Sequence, residues 1–448
     1  MTRTAVLFAA CLLLASTLLV RASPGSPAAG RAAAHATLDC DGEPCGAVVR
    51  GLIAFVDRTP GGLAGNGRAC ADCHMPTDSF QLSPASVEAR YQLLQRRRQR
   101  HPEADDPLFR PIDADDFRTN GDAADDFSNL RQNALVRITF PLPPNIRLID
   151  PITDAPSDET VADVWRSVPT VNDVALTGPD TVNPWPRGPN QTGGYQLDGR
   201  FGSLQEQATG ALTNHAQILA TPPPQLLDDL ASFQRVLFTN QRVRALAAAI
   251  RTGTTPLPDP DGPLTEIEAA GKVVFVRACA QCHGGPSQSN GQAPVVRYHD
   301  ISSQCPRPLD TVTPARFVFT PCAPQLARNA RTYEITLPNG TRIRRTSSDP
   351  GRALLTGFAG VGPAPQDDWQ KLDIPGLRGL RKTAPYFHNN SAPTLEAVLD
   401  HYDEVFKRAR TIAPPGVVPP LLTTDGVHFD RPPVPEERAA LLAYLKTL

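Results

Sequence analysis

Apolar positions along the chain fall into short helical stretches separated by polar, proline-rich connections. Gly46 to Asp57, Gln205 to Leu219, Gln225 to Val236 and Arg242 to Arg251 each repeat apolar residues at helical spacing. Leu264 to Phe275 does the same and runs directly into Cys279. Pro435 to Leu445 begins with proline and carries acids in its first turn, the signature of a helix start. Strand signals are few. Val136, Ile138 and Phe140 alternate with polar residues, and Tyr333 to Arg344 predicts a hairpin turning at Asn339-Gly340. The proline-rich segment Thr254 to Gly262 is the best linker between two halves.

Composition sharpens this picture in two places. Among 448 residues there are 47 prolines, which disfavours long helices and central sheet and predicts stiff, irregular connections. The net charge of −2 gives no global field for nucleic acid or an anionic membrane, and no nucleic-acid motif is present. Arg96, Arg97, Arg98 and Arg100 form one local basic cluster, read as a solvated helix end, with a docking patch for an acidic electron carrier as the sharper alternative. At the N-terminus, Arg3 precedes an apolar run from Ala5 to Val20, and Val20-Arg21-Ala22 offers a cleavage point. Residues 1–22 therefore read as a signal peptide, with an uncleaved anchor as the alternative. The mature protein is expected in the periplasm or otherwise exported, with no stable membrane span after processing.

The nine cysteines then separate by pattern. Cys11 lies within the apolar run. Cys70-Ala71-Asp72-Cys73-His74 and Cys279-Ala280-Gln281-Cys282-His283 are two copies of C-x-x-C-H, 209 residues apart. Two thiols at this spacing add across the vinyl groups of a haem, and the adjacent imidazole is delivered to the iron, so the pattern predicts two covalently bound c-type haems. A zinc half-site and a thioredoxin-like redox pair are the competing readings. The remaining Cys40, Cys45, Cys305 and Cys322 suit disulfides in an oxidising compartment, and proximity favours Cys40–Cys45 and Cys305–Cys322. The expected fold is mainly α: two cytochrome c-like haem domains with long proline-rich loops and a few short β-strands. The N-terminal haem domain spans 23–260, with an unassigned insertion around 80–165, and the C-terminal one spans 261–448.

His74 and His283 each supply one axial ligand. Electron-carrying cytochromes c commonly add methionine, which raises the potential. The only methionines are Met1 and Met75, and Met75 directly follows His74, poorly placed to reach the opposite haem face. Methionine ligation is thus disfavoured at both irons, which tilts the chemistry towards activation of peroxide or dioxygen.

Four further stretches resemble the bacterial di-haem cytochrome c peroxidases and their MauG relatives. They are Pro169 to Pro179; Asp198-Gly199-Arg200 followed by Leu204-Gln205-Glu206-Gln207-Ala208; Asp349-Pro350-Gly351-Arg352; and Ile374-Pro375-Gly376-Leu377-Arg378 running through Thr383-Ala384-Pro385-Tyr386-Phe387-His388 to Leu395. The resemblance implies that the first haem meets peroxide and the second transfers electrons. It also implies that the second haem's other ligand stands fourteen residues after His388, at Tyr402, with His401 as runner-up. By the same matching, the distal glutamine is Gln207, the distal proline position is Ala211, and the distal acid falls on Gln217, which cannot carry a proton at ordinary pH. His215 is then the candidate substitute. The tryptophan bridging the haems in MauG relatives is replaced by Leu197, with Trp165 and Trp185 elsewhere and Tyr195 the nearest redox-active side chain. An inter-haem calcium ion is implied on backbone oxygens of Thr383 and Pro385, although its usual asparagine is Ser167. These features predict an enzyme that uses peroxide to oxidise a small redox protein (a cytochrome or cupredoxin) or an organic or protein substrate. A non-enzymatic electron carrier and a dioxygen-using oxygenase are the alternatives.

Overall fold

The computed structural model describes residues 39–114, 127–178, 194–285, 299–300, 319–320, 329–359, 368–412, 423–424, 427–428 and 433–448. The side chains of 281–282 and 404–412 fall outside that description, as do the export segment, Trp185 and the expected pair Cys305–Cys322. Helices dominate and strands are short, as the sequence pattern predicts. Among the described residues no helix is long and apolar enough to cross a membrane.

Each C-x-x-C-H turn is framed in the same way. The helix Cys45–Val56 precedes the first motif and packs against Pro224–Arg235; the helix Glu266–Ala278 precedes the second and packs against Pro435–Leu445. Both contacts close on a glycine. A Cβ on Gly51 would lie 1.9 Å from the Asp229 carbonyl oxygen, and one on Gly271 would lie 1.9 Å from that of Ala440. Only a residue without a side chain lets the two backbones approach this closely. The first pair buries Ala54, Phe55, Leu230 and Phe233, with Cys70 packed against them. The second buries Val274, Phe275, Leu441 and Tyr444, with Cys279 packed against them. Cys40 and Cys45 form a disulfide that pins the start of the first helix.

The stretch around 80–165, unassigned in the sequence, builds a core of its own. Its helix Pro84–Arg98 buries Val87 and Leu94 against Leu108, Phe109 and Leu130, and its arginine-rich end is exposed. Strand Leu135–Pro141 pairs antiparallel with Val161–Ser167, in a register that sets Leu135 opposite Ser167. Ile146–Leu148 pairs antiparallel with Arg331–Thr336, which pairs in turn with Arg342–Ser347. The insertion therefore shares a sheet with the C-terminal half. Residues 38–448 form one compact unit.

One buried ion cluster fastens these parts. Arg166, on the insertion's last strand, donates through Nε and Nη2 to both carboxylate oxygens of Asp349, at 2.6 and 2.9 Å, and through Nη1 to Asp198. Arg166, Asp198 and Asp349 are all at most 1% exposed. Arg352 adds a bond from its guanidinium to the Asp198 carbonyl at 3.1 Å. The Asp-Gly-Arg and Asp-Pro-Gly-Arg motifs are thus one structural clasp, closed by a residue neither contains. Burial alone would raise the Asp349 carboxyl, but the charge and hydrogen bonds of Arg166 hold it below the usual carboxylate range. Removing one partner of such a cluster strands buried charge, typically at about 3–5 kcal/mol. Arg166→Met should lower stability by about that amount at neutral pH, read by urea denaturation. Wild-type protein loses the Asp349 contribution as pH falls through its depressed value, whereas protonation relieves the variant, so the gap between them should narrow below about pH 4. A gap that is small at neutral pH, or that widens with acid, would remove the clasp from this role.

Candidate haem sites

The first motif occupies a short helix, Cys70–Cys73, whose geometry is set by Asp72. Its carboxylate accepts from the Ala69 amide at 2.9 Å, Arg58 at 2.9 Å and Arg90 at 3.0 Å. Burial would raise the Asp72 carboxyl; these donors together hold it low. The loop after the motif folds back through Met75, whose amide donates to the Gln81 carbonyl at 3.0 Å. This brings the Phe80 carbonyl 3.1 Å from Nδ1 of His74. With Nδ1–H held by a carbonyl, Nε2 is left free to coordinate, as in histidines that ligate haem or metal. Burial pushes His74 below its ordinary value, so the ring is neutral, as a ligand must be.

Beside it opens a cleft of about 1270 Å³, counting its mouth, whose lining is mostly apolar and includes Cys70, Cys73 and His74. Neither thiol is in a disulfide. Burial pushes Cys70 up to about 11 and Cys73 up to about 12, so neither is a thiolate at neutral pH, unlike the low-pKa cysteine of a redox pair. Among the described residues no cluster of three His, Cys, Asp or Glu side chains is placed to hold a metal ion, which leaves the zinc reading without ligands. Two free thiols, a neutral histidine and an apolar slot fit a covalent haem.

The helix Leu204–Asn214 and its C-terminal turn contribute Gln207, Ala211 and His215 to the same cleft, and Tyr195 lines it as well. Gln217 does not. The expectation that Gln217 stands over the first haem is corrected by the backbone: φ is +51° at Gln217, so the chain turns outward, and the exposed side-chain oxygen accepts from Asn66 Nδ2 at 3.1 Å. The helix expected from Gln205 to Leu219 ends at Asn214. Trp165 is buried in the strand pair, away from the cleft lining.

At the second motif, Thr265 and Glu268 cap the helix Glu266–Ala278, which delivers Cys279 and the turn Ala280–His283. Here too Nδ1 of the histidine faces a carbonyl: His283 and Pro375 are 3.2 Å apart. The Ile374–Arg378 stretch is fixed by Arg378, which donates to Asp261 at 2.8 Å, while Asp261 also accepts from Tyr444 on the C-terminal helix at 2.8 Å. Tyr402 lies on the helix Leu395–Ile412, seven and three residues after Leu395 and Leu399, and packs with them against the cluster that Cys279 and Ala280 also join. His401 is turned differently. Its ring meets Phe387 edge-on at 4.8 Å, its Nε2 has no hydrogen-bond partner, and burial pushes it down to about 3. The helical face thus favours Tyr402 over His401 as the residue nearer the second motif. Cys282 belongs to the turn, but its side chain is outside the described residues.

The loop carrying Thr383 and Pro385 is held by protein donors at neighbouring carbonyls. Ser167 donates its hydroxyl to the Phe387 carbonyl at 3.2 Å and its amide to that of His388 at 2.6 Å. Gln81 donates its side-chain amide to the Ala384 carbonyl at 2.9 Å, between the two residues whose oxygens would bind calcium.

The RoxA-like, cytochrome c-like family matches residues 374–406, a span that contains Pro375, the Tyr386-Phe387-His388 stretch and Tyr402. The chain is 30% identical over 156 residues to the cytochrome-c peroxidase IdrP2 of Denitromonas iodatirespirans, a match covering 34% of this chain and 36% of that protein. The matched part is thus about a third of that relative's length. Among solved structures, a MauG-like protein associated with microbial copper homeostasis has 18% identity and a TM-score of 0.43, covering 90% of this chain and 88% of its own. The diheme peroxidase BthA of Burkholderia thailandensis has 16% identity and a TM-score of 0.41, covering 90% and 86%. Those two likenesses are too loose to carry an argument. The family match and the peroxidase relative support a kinship to cytochrome c-like proteins and cytochrome-c peroxidases, and with it haem as the cofactor.

If donors hold the inter-haem loop in place of a cation, a calcium chelator should leave the haem spectrum and thermal stability of the purified protein unchanged. Gln81→Leu, which removes the Ala384 bond, should lower stability by about 0.5–1.5 kcal/mol. Loss of stability on chelation, restored by calcium alone, would show that the ion binds after all.

Proposed function

We propose that this chain is an exported di-haem c-type cytochrome oxidoreductase that uses peroxide as oxidant. The observation that carries the reading is the asymmetry between two equivalent frames. Both place a C-x-x-C-H histidine with Nδ1 on a backbone carbonyl. The first opens on a cleft that also holds polar side chains from a second helix. At the second, Tyr402 packs against the apolar cluster that Cys279 also joins. Cys70, Cys73 and His74 would hold the first haem, and Cys279, Cys282, His283 and Tyr402 the second. When bound, an iron without a strong sixth ligand supplies two-electron chemistry on peroxide, and a phenolate ligand lowers the potential at the other iron.

The residues around the first site have separable tasks. Gln207 can hydrogen-bond an oxidant without moving a proton. His215 can accept and return one. The apolar lining excludes bulk water. Tyr195 borders the cleft and is the aromatic side chain best placed to pass electrons onward. The final reductant is a small redox protein or an organic or protein substrate.

Three measurements check this. Mass spectrometry of denatured, mature protein should show two haems retained. Electron paramagnetic resonance of the oxidised protein should show one high-spin and one low-spin ferric haem, and peroxide should change both. An oxidised protein with no high-spin signal and no response to peroxide would make it an electron carrier. Tyr402→Phe keeps the ring but removes the phenolate, so the low-spin signal should change; an unaltered signal would transfer the ligand role to His401.

A further inference from the structure

The insertion reaches into the first cleft with Val136, Ile138 and one carboxylate. Asp113 is 4% exposed and lines the cleft. Its Oδ1 is 3.0 Å from Nδ1 of His215, and its Oδ2 accepts from Arg68 at 2.8 Å. Arg68, 3% exposed, is fully engaged. Nε donates to the Pro107 carbonyl at 3.0 Å, and Nη2 to that of Arg110 at 2.9 Å. Nη1 also reaches the backbone carbonyl of His215 itself, at 2.9 Å. One guanidinium therefore fixes the carboxylate, the loop that carries it and the main chain of the histidine. The Asp113 carbonyl is tied to the strand pair by the Arg137 amide at 2.8 Å.

We propose that Asp113 is a positioning residue which, held by Arg68, orients His215 as the acid–base group of the first haem site. The proposal rests on the peroxide reading above and deepens it. A carboxylate on Nδ1 favours that nitrogen as the N–H donor, which makes Nε2 the atom that exchanges a proton, on a residue that lines the cleft. The geometry repeats the logic of a histidine oriented by a buried aspartate in hydrolytic triads. Here its task is to move a proton between oxygens. Nε2 takes the proton from the peroxide oxygen that approaches the iron and returns it to the other oxygen as the O–O bond breaks. The imidazole ends as it began. The external donor supplies two electrons, and two further protons from solvent complete two waters. The insertion thus supplies what the outward turn at Gln217 withholds.

Cyanide provides a test that does not depend on turnover, because hydrogen cyanide must give up its proton on binding ferric haem. With the haem-loaded full chain at neutral pH, His215→Gln should slow cyanide association by about 10²–10⁴-fold, and peroxide consumption in parallel. Asp113→Asn should slow both in the same direction by less, since the imidazole remains but loses its orientation. In His215→Gly, added imidazole should restore part of the cyanide rate. Should Asp113→Asn fail to load haem because Arg68 is left unpaired, the His215 variants still decide. Unchanged cyanide association in His215→Gln, with wild-type protein binding it readily, would overturn the dyad and leave the peroxide reading standing. Wild-type protein that neither binds cyanide nor shows a high-spin haem would instead overturn the peroxide reading. A low-spin haem that becomes high-spin in His215→Ala would make His215 an axial ligand and overturn the proposal directly.

Discussion

The structure depends on a single buried guanidinium. Arg166 joins Asp198, which follows the first haem site, to Asp349, which precedes the Ile374–Arg378 stretch at the second. Because buried ions are tolerated only when paired and hydrogen-bonded, the three side chains permit one mutual arrangement and exclude small slippage between the parts they come from. Where an apolar contact would allow sliding, a bidentate fork fixes direction as well as distance. The relative placement of two electron-transferring centres is a quantity that needs this kind of fixing.

Around that clasp, two helix pairs repeat one solution. A glycine at each crossing brings the backbones together, apolar residues on either side fill the space, and the C-x-x-C-H turn follows at the end of, or soon after, the buried helix. The repeat is architectural and not chemical. The first frame borrows side chains from the insertion and from Leu204–Asn214 and so acquires a polar cleft. The second receives Leu395, Leu399 and Tyr402 from one helix face.

Much of this was legible in the sequence. The helices before and after each motif, the hairpin at Asn339-Gly340 and the Cys40–Cys45 bridge all follow from local periodicity, turn chemistry or proximity. The axial histidines lie in a contiguous motif. What stayed hidden was long-range. Arg166 and Asp349 are 183 residues apart and neither lies in a pattern that names the other. Asp113 sits in a stretch that no motif covers, so its contact with His215, 102 residues on, has no local signal. Gln217 shows the converse failure: its residue type and spacing match a distal position, but one left-handed turn takes it out of the cleft. Position by matching presumes a continuous helix, and helix ends are where that presumption is weakest.

The strand Ile146–Leu148 finds its partner only at Arg331–Thr336. A chain that emerges N-terminus first therefore has every lining residue of the first cleft, Ala54 to Gln234, long before this sheet can close. Pairings of such long sequence separation are the slow steps of folding, since the closing loop must be ordered before any contact rewards it. The order of events is then written into the topology. The first C-x-x-C-H turn and its cleft belong to the earlier part of the chain, and the closure of this sheet waits for residues encoded after the second C-x-x-C-H motif.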